Sequence, residues 1–292
     1  MSPATLNTDS PLILGMMRLL DYPDLSRPSA LAGWITDRLD EGLNRFDHAD
    51  IYGGGECERR FGAALAASPG LRQRVEIITK AGIVLQENDA SRWHTKHYRA
   101  EADYLTNAID AALARLRIER IDTFLIHRPD PLMHADELMP ALERGVASGK
   151  IRQFGVSNFL PEQWRRLQQQ SHLPLACNQS ELSLGHTAPL FDGTLDAHLA
   201  DELPWLAWSP LAGGRIGALI PEHIARQARE ETGLDPTGLA MAWLRQLPGA
   251  PVPVIGSLAP DRIRSALTGA STRLPRPLWY ALLEAARGQP VA

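Results

Sequence analysis

The sequence contains few cysteines and few lysines, and it lacks any long hydrophobic run. Cys57 and Cys177 are the only cysteines in 292 residues, too few for the disulfide framework of a small secreted domain. No apolar stretch approaches the roughly 20 residues of a membrane-spanning helix. The first ten residues also lack the charged segment and apolar core of a secretion signal. We therefore predict a cytoplasmic protein with no membrane partner.

The charge balance excludes another group of partners. The formal net charge is -4, without the basic surplus that nucleic acids or anionic membranes attract. A composition of 44% hydrophobic and 22% charged residues is typical of a globular protein with a full core. We expect a small-molecule substrate, no nucleic acid, and a monomer by default. Lysine is so scarce that Lys80, Lys96 and Lys150 are the only ones, which makes each a candidate functional residue.

Short apolar runs typical of strands alternate with amphipathic runs typical of helices along nearly the whole chain. The predicted strands cover residues 12–19, 43–49, 75–80, 121–127, 151–157, 175–181, 205–209 and 252–256. The predicted helices cover residues 27–42, 56–67, 101–117, 136–148, 161–170, 189–200, 222–232 with 237–246, and 260–270. Eight strands, each followed by a helix, predict an α/β fold of the (β/α)8 TIM-barrel type, which needs about 250 residues.

The barrel prediction treats residues 1–292 as a single domain. Three long loops, residues 82–100, residues 209–221 and the C-terminal residues 271–292, are expected around the barrel mouth, where substrate specificity would reside. The alternative, a doubly wound sheet, would show a Gly-x-Gly-x-x-Gly turn after a strand. The glycines at residues 53–55 and 213–214 lack that spacing, so the barrel is favoured.

The predicted strand ends carry ionisable side chains. Catalytic groups of such barrels lie at the C-terminal ends of the strands, where this chain has Asp47, Lys80 and His127, with Tyr52 just after the second strand. Each alone could be structural, but four groups at one barrel mouth indicate a site. A lysine ammonium lowers the pKa of a neighbouring phenol from about 10, a carboxylate fixes the lysine, and an imidazole orients a substrate oxygen. The set suits protonation of a carbonyl oxygen, and its reduction requires a cofactor that supplies hydride.

Several ordered motifs resemble those of the aldo-keto reductases over nearly the entire chain. They are Arg45-Phe46-Asp47-His48-Ala49-Asp50-Ile51-Tyr52, Glu58-Arg59-Arg60-Phe61-Gly62, Ile78-Thr79-Lys80, Leu125-Ile126-His127-Arg128-Pro129-Asp130, residues 149–159, Asn178-Gln179, Trp208-Ser209-Pro210-Leu211 and Ile255-Gly256-Ser257. The His-Arg-Pro-Asp-Pro run at residues 127–131 resembles a bacterial oxidoreductase branch of that family, much of it uncharacterised.

The resemblance implies reversible reduction of an aldehyde or ketone, with Tyr52 as proton donor, Lys80 and Asp47 tuning it, and His127 orienting the carbonyl. It implies NADPH (NADP+) as cofactor, with NADH less favoured, and no metal. The implied cofactor contacts are Met16, Met17, Asp47, Ser157, Asn158, Gln179, Trp208, Ser209, Pro210, Leu211, Gly213, Gly214, Arg215, Ser257 and Arg262. The implied substrate pocket includes Trp93 and Arg128.

The sequence departs from the family pattern at two positions that bear on these expectations. Gly256 stands where many members carry a phosphate-binding lysine, so Arg262 would hold the ribose phosphate more nearly alone. His48 replaces a small residue after the signature aspartate, and we interpret it as a packing residue.

Two functions from other classes compete with carbonyl reduction. A regulatory or interaction subunit on the same fold would bind nucleotide with negligible turnover and hold a protein partner. A metal-dependent hydrolase would use Asp47, His48, Asp50 and His127 as ligands, although no His-x-His pair supports it.

Overall fold

The computed structural model describes residues 10–291. Its strands are β1 Ile13–Gly15, β2 Arg45–Asp47, β3 Glu76–Ala81, β4 Ile83–Val84, β5 His97–Tyr98, β6 Ile121–Ile126, β7 Ile151–Ser157, β8 Asn178–Glu181, β9 Trp205–Trp208 and β10 Val252–Ile255. Eight of them form a closed barrel in the order β1-β10-β9-β8-β7-β6-β3-β2, and β4 and β5 form a separate two-stranded sheet. The predicted (β/α)8 barrel is confirmed.

The helices follow the strands as the sequence pattern predicted. They are α1 Pro28–Asp40, α2 Glu56–Ala67, α3 Ala102–Leu116, α4 Ala135–Ala147, α5 Pro161–Gln169, α6 Thr194–Ala200, α7 Ile216–Leu219, α8 Glu222–Thr232, α9 Pro236–Arg245, α10 Pro260–Ala270 and α11 Arg276–Arg287. None of those described is long and apolar enough to cross a bilayer.

The described chain divides into two compact units, residues 15–178 and residues 10–14 with 179–291. In the first unit, β2, β3, β6 and β7 pair in parallel, with Asp47 opposite Ile78 and Lys80 opposite Leu125. In the second unit, β1, β10 and β9 pair in parallel. The single-domain assignment of residues 1–292 stays a prediction.

Two of the barrel strands are buried along their whole length because both of their faces are covered. All six residues of β6 are buried, and so are all four residues of β10. Helix α3 buries only one of its faces, and the large buried residues on that face are Leu105, Ile109 and Leu116. Each such side chain contributes about 1.5–3 kcal/mol when it is fully buried. The continuous apolar runs of the sequence are therefore barrel strands, and the periodic runs are the helices around them.

Five sequence predictions need correction, and the first is the loop at residues 209–221, which contains the short helix α7. The first strand is only β1, because Met16–Asp21 is a 3-10 helix that buries Met16 and Leu19 at its three-residue repeat. The helix predicted over residues 189–200 is a 3-10 turn followed by α6, with a left-handed Gly193 between them. The loop at residues 82–100 contains β4 and β5. The C-terminal residues 271–292 contain α11, whose Leu282 and Leu283 are buried.

A buried carboxylate joins two helices to the barrel wall. Glu58 on α2 is fully buried; one of its oxygens accepts a hydrogen bond from Thr79 Oγ1 on β3 at 2.6 Å, and the other pairs with Arg115 on α3. Gly62 lets the helices approach closely, since a Cβ there would lie 2.5 Å from the Arg115 carbonyl oxygen. Glu58 therefore fixes α2 and α3 against the strand that carries Lys80.

Asp50 follows β2 and faces this network. Its amide donates to the Lys80 carbonyl at 2.9 Å. Burial, and next the charge of Glu58, raise the pKa of the Asp50 carboxyl to about 7, against the opposing charges of Arg115 and Lys80. Tyr104 on α3 is also within electrostatic reach of it. The pKa of Asp50 is higher in the folded state than in the unfolded state, so protonation of its carboxyl stabilises the folded state. This stabilisation is complete below about pH 4 and is lost as the pH rises to about 7.

We predict that Glu58→Ala lowers the free energy of unfolding by about 3–5 kcal/mol, because it leaves the Arg115 charge and the Thr79 hydroxyl without their buried partner. Chemical denaturation at pH 7 measures it. Glu56→Ala is the matched control on the same helix, since Glu56 pairs with Arg59 at 2.9 Å on the surface, an interaction worth about 1 kcal/mol or less. Equal losses in the two variants would contradict the network.

We predict that Asp50→Asn gains stability relative to the wild type as the pH rises. The asparagine cannot ionise, so the difference in unfolding free energy should grow between about pH 4 and pH 7 and then level off. Denaturation series across this range measure the difference. A difference that is constant with pH would refute the assigned titration.

Candidate active site

A buried ion pair lies at the ends of β2 and β3. The Lys80 ammonium is 2.6 Å and 2.7 Å from the two carboxylate oxygens of Asp47 and 2.8 Å from the carbonyl oxygen of His48. Both charged side chains are almost fully buried. Burial alone would lower the pKa of Lys80, but the charges of Asp47 and Tyr52 outweigh it and raise that pKa. Lys80 is therefore a fixed cation at neutral pH.

Tyr52 stands over this cation on the turn after β2. Its amide donates to the Ala49 carbonyl at 3.1 Å, and its ring centroid is 5.3 Å from the Lys80 ammonium. Burial raises the pKa of the Tyr52 phenol, and Lys80 opposes that rise. The expectation that the pKa of the Tyr52 phenol lies below its ordinary value is wrong. Lys80 lowers this pKa, as expected, but burial raises it by more. The phenol keeps its proton at neutral pH.

His127 faces Tyr52 from the end of β6. The two rings are edge to face, with centroids 6.4 Å apart and planes at 83°. Burial lowers the pKa of His127 well below its ordinary value, and the charges of Lys80, Arg128 and Lys96 lower it further. The imidazole is therefore neutral at neutral pH and carries one N–H donor. The buried Nδ1 has no hydrogen-bond partner among the described residues.

The four expected catalytic side chains thus lie together in the first unit. Asp47 holds Lys80, Lys80 lies beneath Tyr52, and His127 faces the Tyr52 ring. The arrangement combines a protonated phenol, a fixed cation and a neutral imidazole donor. Such a set can donate a proton to an oxygen atom and stabilise the phenolate that remains.

His48 packs in the core behind the site. It is fully buried and meets Phe61 edge to face, with centroids 4.7 Å apart. Burial, and next Lys80, lower its pKa to about 3, and neither ring nitrogen has a hydrogen-bond partner in the described part of the chain. These contacts agree with the packing interpretation. No three His, Cys, Asp or Glu side chains within residues 10–291 are grouped as a metal site requires.

The remaining expected cofactor residues of the first unit lie at the ends of β1 and β7. Ser157 is buried, and Asn158 has a left-handed backbone with φ 64°. The side-chain nitrogen of Asn158, Nδ2, donates to Ser157 Oγ at 2.9 Å and to the His127 main-chain carbonyl at 3.2 Å. It therefore links the ends of β6 and β7. Met16 is fully buried and Met17 is 53% exposed, which leaves only Met17 accessible to a ligand.

The second unit carries a loop that suits a phosphate chain. Gln179 is buried in β8, Trp208 is half-buried at the end of β9, and the loop follows with Ser209, Pro210, Leu211, Gly213, Gly214 and Arg215. Gly213 and Gly214 are exposed and left-handed, and no described atom lies within 4 Å of where their Cβ atoms would be. Backbone without side chains permits close approach of a ligand. Arg215 is exposed at the loop end.

Ser257 and Arg262 supply the donors that a phosphate group needs. Ser257 is buried just after β10, next to an open Gly256. Arg262 is exposed in the first turn of the 11-residue helix α10. A guanidinium beside the N-terminus of a helix favours an anion. Ser257 and Arg262 therefore offer donors that fit an anionic group of a nicotinamide cofactor.

The two expected substrate residues differ in exposure. Trp93 is 71% exposed and lies under the Arg92 guanidinium, 4.7 Å from its ring centroid, whereas Arg128 is half-buried directly after His127. The sequence predicts no role for Asp130 beyond its place in a family motif, but in the structure its buried carboxylate accepts two main-chain hydrogen bonds. Its position between two prolines was the available signal, since aspartate often caps such turns.

Comparison with known proteins finds a matching family model and similar proteins that cover nearly the whole chain. The Aldo/keto reductase family model matches residues 11–277. Oxidoreductase YdhF of Escherichia coli (strain K12) is 38% identical over 287 residues, which are 97% of this chain and 95% of the relative. A 6-dehydroglucose reductase of Agrobacterium fabrum is 38% identical over 286 residues, covering 97% of this chain and 96% of the relative.

A solved structure has the same fold. The thermostable aldo-keto reductase Tm1743, crystallised with the inhibitor epalrestat, superposes with a TM-score of 0.78 at 24% identity, covering 98% of this chain and 100% of that chain. The family match and the relatives extend over nearly all of the sequence that builds the barrel and the site. The chain belongs to the aldo/keto reductase family and is a carbonyl-reducing oxidoreductase.

Proposed function

We propose that the protein is an NADPH-dependent reductase that converts an aldehyde or ketone to an alcohol, reversibly, with Tyr52 as the proton donor. The observation that carries the proposal is the buried Asp47–Lys80 pair beneath a protonated phenol, faced by a neutral imidazole. A general acid must keep its proton until the substrate oxygen gains charge. The pKa of Tyr52 satisfies that requirement at neutral pH.

Each side chain has one part in the reaction. His127 donates a hydrogen bond to the carbonyl oxygen and orients it, while Tyr52 donates the proton as negative charge develops on that oxygen. Lys80 stabilises the phenolate that remains, and Asp47 holds Lys80 in place. The hydride for the carbonyl carbon would come from a reduced nicotinamide when that cofactor is bound. The same residues in reverse remove a proton from an alcohol.

The residues that would hold the cofactor are those that the family resemblance implies. Ser157, Asn158 and Gln179 would bind the carboxamide of the nicotinamide, Met17 would border the nicotinamide and the substrate, and Trp208 would stack on the ring. The loop from Ser209 to Arg215 would bind the pyrophosphate. Ser257 and Arg262 would bind the ribose phosphate, which favours NADPH over NADH.

The substrate class that the relatives favour is a sugar-derived carbonyl compound. The support is the 38% identity with the 6-dehydroglucose reductase of Agrobacterium fabrum. The run at residues 127–131 would place the chain in the bacterial branch that shares it. We further propose that the chain works in the cytoplasm as a monomer with one barrel domain, with Trp93 and Arg128 contacting the substrate.

We predict that Tyr52→Phe lowers kcat for carbonyl reduction by about a thousandfold, because no other group supplies the proton. NADPH binding, followed by nucleotide fluorescence, should change by no more than about twofold, since the phenol hydroxyl acts on the substrate oxygen. Tyr280→Phe on α11 is the matched control and should keep full activity. Full activity in Tyr52→Phe would refute the assigned proton donor.

A wild type that binds NADPH but reduces no member of a broad aldehyde and ketone panel would support the regulatory alternative instead.

We predict that Arg262→Ala weakens NADPH binding by about 10- to 100-fold, the size of a lost charge-assisted contact of about 1.5–3 kcal/mol. NADH lacks the ribose phosphate, so its dissociation constant should stay unchanged. Fluorescence titration with both nucleotides makes the comparison. Arg276→Ala, at the start of α11, is the control and should alter neither constant. Equal losses for NADPH and NADH would remove Arg262 from the phosphate site.

A further inference from the structure

Residues 82–100, here called the flap, leave the barrel after β3 and return at the start of α3. Strands β4 and β5 close its base, with Ile83 opposite Tyr98 and Val84 opposite His97. The Arg99 amide donates to the Gly82 carbonyl at 3.0 Å. These few bonds are local to the flap, and a two-stranded hairpin of this size is only marginally stable by itself.

The flap tip is organised by its own residues. The Asp89 carboxylate accepts hydrogen bonds from the Ser91 amide, the Ser91 hydroxyl and the Thr95 amide at 2.8–2.9 Å, and these bonds lower the pKa of Asp89 to about 2. Arg92 stacks on the exposed ring of Trp93. The tip is therefore preformed, and the orientation of the whole flap depends on how its base is attached.

Asp130 supplies that attachment. Its carboxylate is buried, and one oxygen accepts the Ala100 amide at 3.2 Å while the other accepts the Leu132 amide at 2.9 Å. Ala100 is the last flap residue, and Leu132 belongs to the turn after His127. Prolines at 129 and 131 restrict the backbone on both sides of the carboxylate. One side chain thus bonds the flap exit and the turn that follows the catalytic strand end.

The first residue of the flap lies beside the same turn. The His127 amide donates to the Ala81 carbonyl at 2.9 Å. Gly82 follows with φ 119°, and a Cβ there would lie 3.1 Å from the Arg99 carbonyl oxygen and 3.8 Å from the His127 amide nitrogen. Both ends of the flap are therefore fixed within four residues of His127. The charge of Lys96, within the flap, also reaches the His127 imidazole.

We propose that Asp130 is a positioning residue that holds the flap in register with His127 and thereby determines how tightly the carbonyl substrate binds. The proposal rests on the proposed reductase function, in which the flap presents Trp93 to the substrate. The proposal assigns Asp130 no contact with substrate or cofactor. It acts through the Ala100 and Leu132 amides.

Two substitutions at Asp130 and one control test the proposal. Asp130→Ala removes both acceptors, and Asp130→Asn keeps the shape but leaves one amide facing an NH2 group. Asp110→Asn is the control, because Asp110 is an exposed carboxylate that pairs with Lys150 at 2.6 Å. The first readout is the initial rate of tryptic cleavage after Arg92 and Lys96, both exposed in the flap, resolved by mass spectrometry. The second is the separation of KM and kcat for the best carbonyl substrate.

We expect tryptic cleavage within the flap to be about tenfold faster in Asp130→Ala and to rise less in Asp130→Asn, because the cleavage rate follows the population of the open flap. KM should rise about tenfold, with kcat changed by less than about threefold and the NADPH dissociation constant unchanged. Asp110→Asn should match the wild type in every measurement.

The outcomes separate this proposal from the proposed function. A wild type that reduces no carbonyl compound would refute the proposed reductase function. The attachment of the flap by Asp130 is tested independently, because unchanged tryptic cleavage in both Asp130 variants would refute it. Faster cleavage with an unchanged KM would refute the effect on substrate binding. If Asp130→Ala does not fold, Asp130→Asn carries the test. Cleavage that is faster everywhere in the chain, with a weakened NADPH affinity, would show general destabilisation and overturn the positioning role.

Discussion

The ion pair between Lys80 and Asp47 is the interaction on which the site depends. Two charges removed from water are stabilised only by close mutual contact and further hydrogen bonds. Here the ammonium is within 2.8 Å of three acceptors, both Asp47 oxygens and the His48 carbonyl. The parallel pairing of β2 with β3 brings the two side chains to adjacent strand ends. Because either charge alone would be very unfavourable there, the barrel must hold these strands in register.

Burial then assigns a different protonation state to each member of the site. It disfavours the charged form of every group, so it raises the pKa of the Tyr52 phenol and lowers that of the His127 imidazole. Lys80 escapes this effect because Asp47 is in contact with it. A single environment therefore yields a protonated phenol, a neutral imidazole and a permanent cation. These are the states that proton donation to a carbonyl oxygen requires.

The sequence was sufficient to predict the architecture and the convergence of four ionisable side chains, for a geometric reason. Parallel strands in a barrel end at the same face, so Asp47, Lys80 and His127, each closing an apolar run, had to converge. The net pKa of Tyr52 was not predictable, because the degree of burial is a property of the assembled fold. Strands β4 and β5 are two residues each, too short to leave a periodic signal. Helix α11 does leave one, because Leu278, Leu282 and Ala286 recur every four residues, although the sequence prediction treats this segment as a loop.

Asp130 shows why contacts to the main chain escape sequence reasoning. Side chains that pair with each other can be recognised by their complementary types, as Lys80 and Asp47 were. A carboxylate that accepts backbone amides has no partner visible in the sequence, because every residue except proline carries the same donor. The Asp47–Lys80 pair is a contact between side chains, while the flap is attached through backbone amides that almost any flap sequence can supply. In the proposed arrangement, the flap residues can change without disturbing Lys80, Tyr52 or His127, and Asp130 is the side chain that connects the flap to the turn after His127.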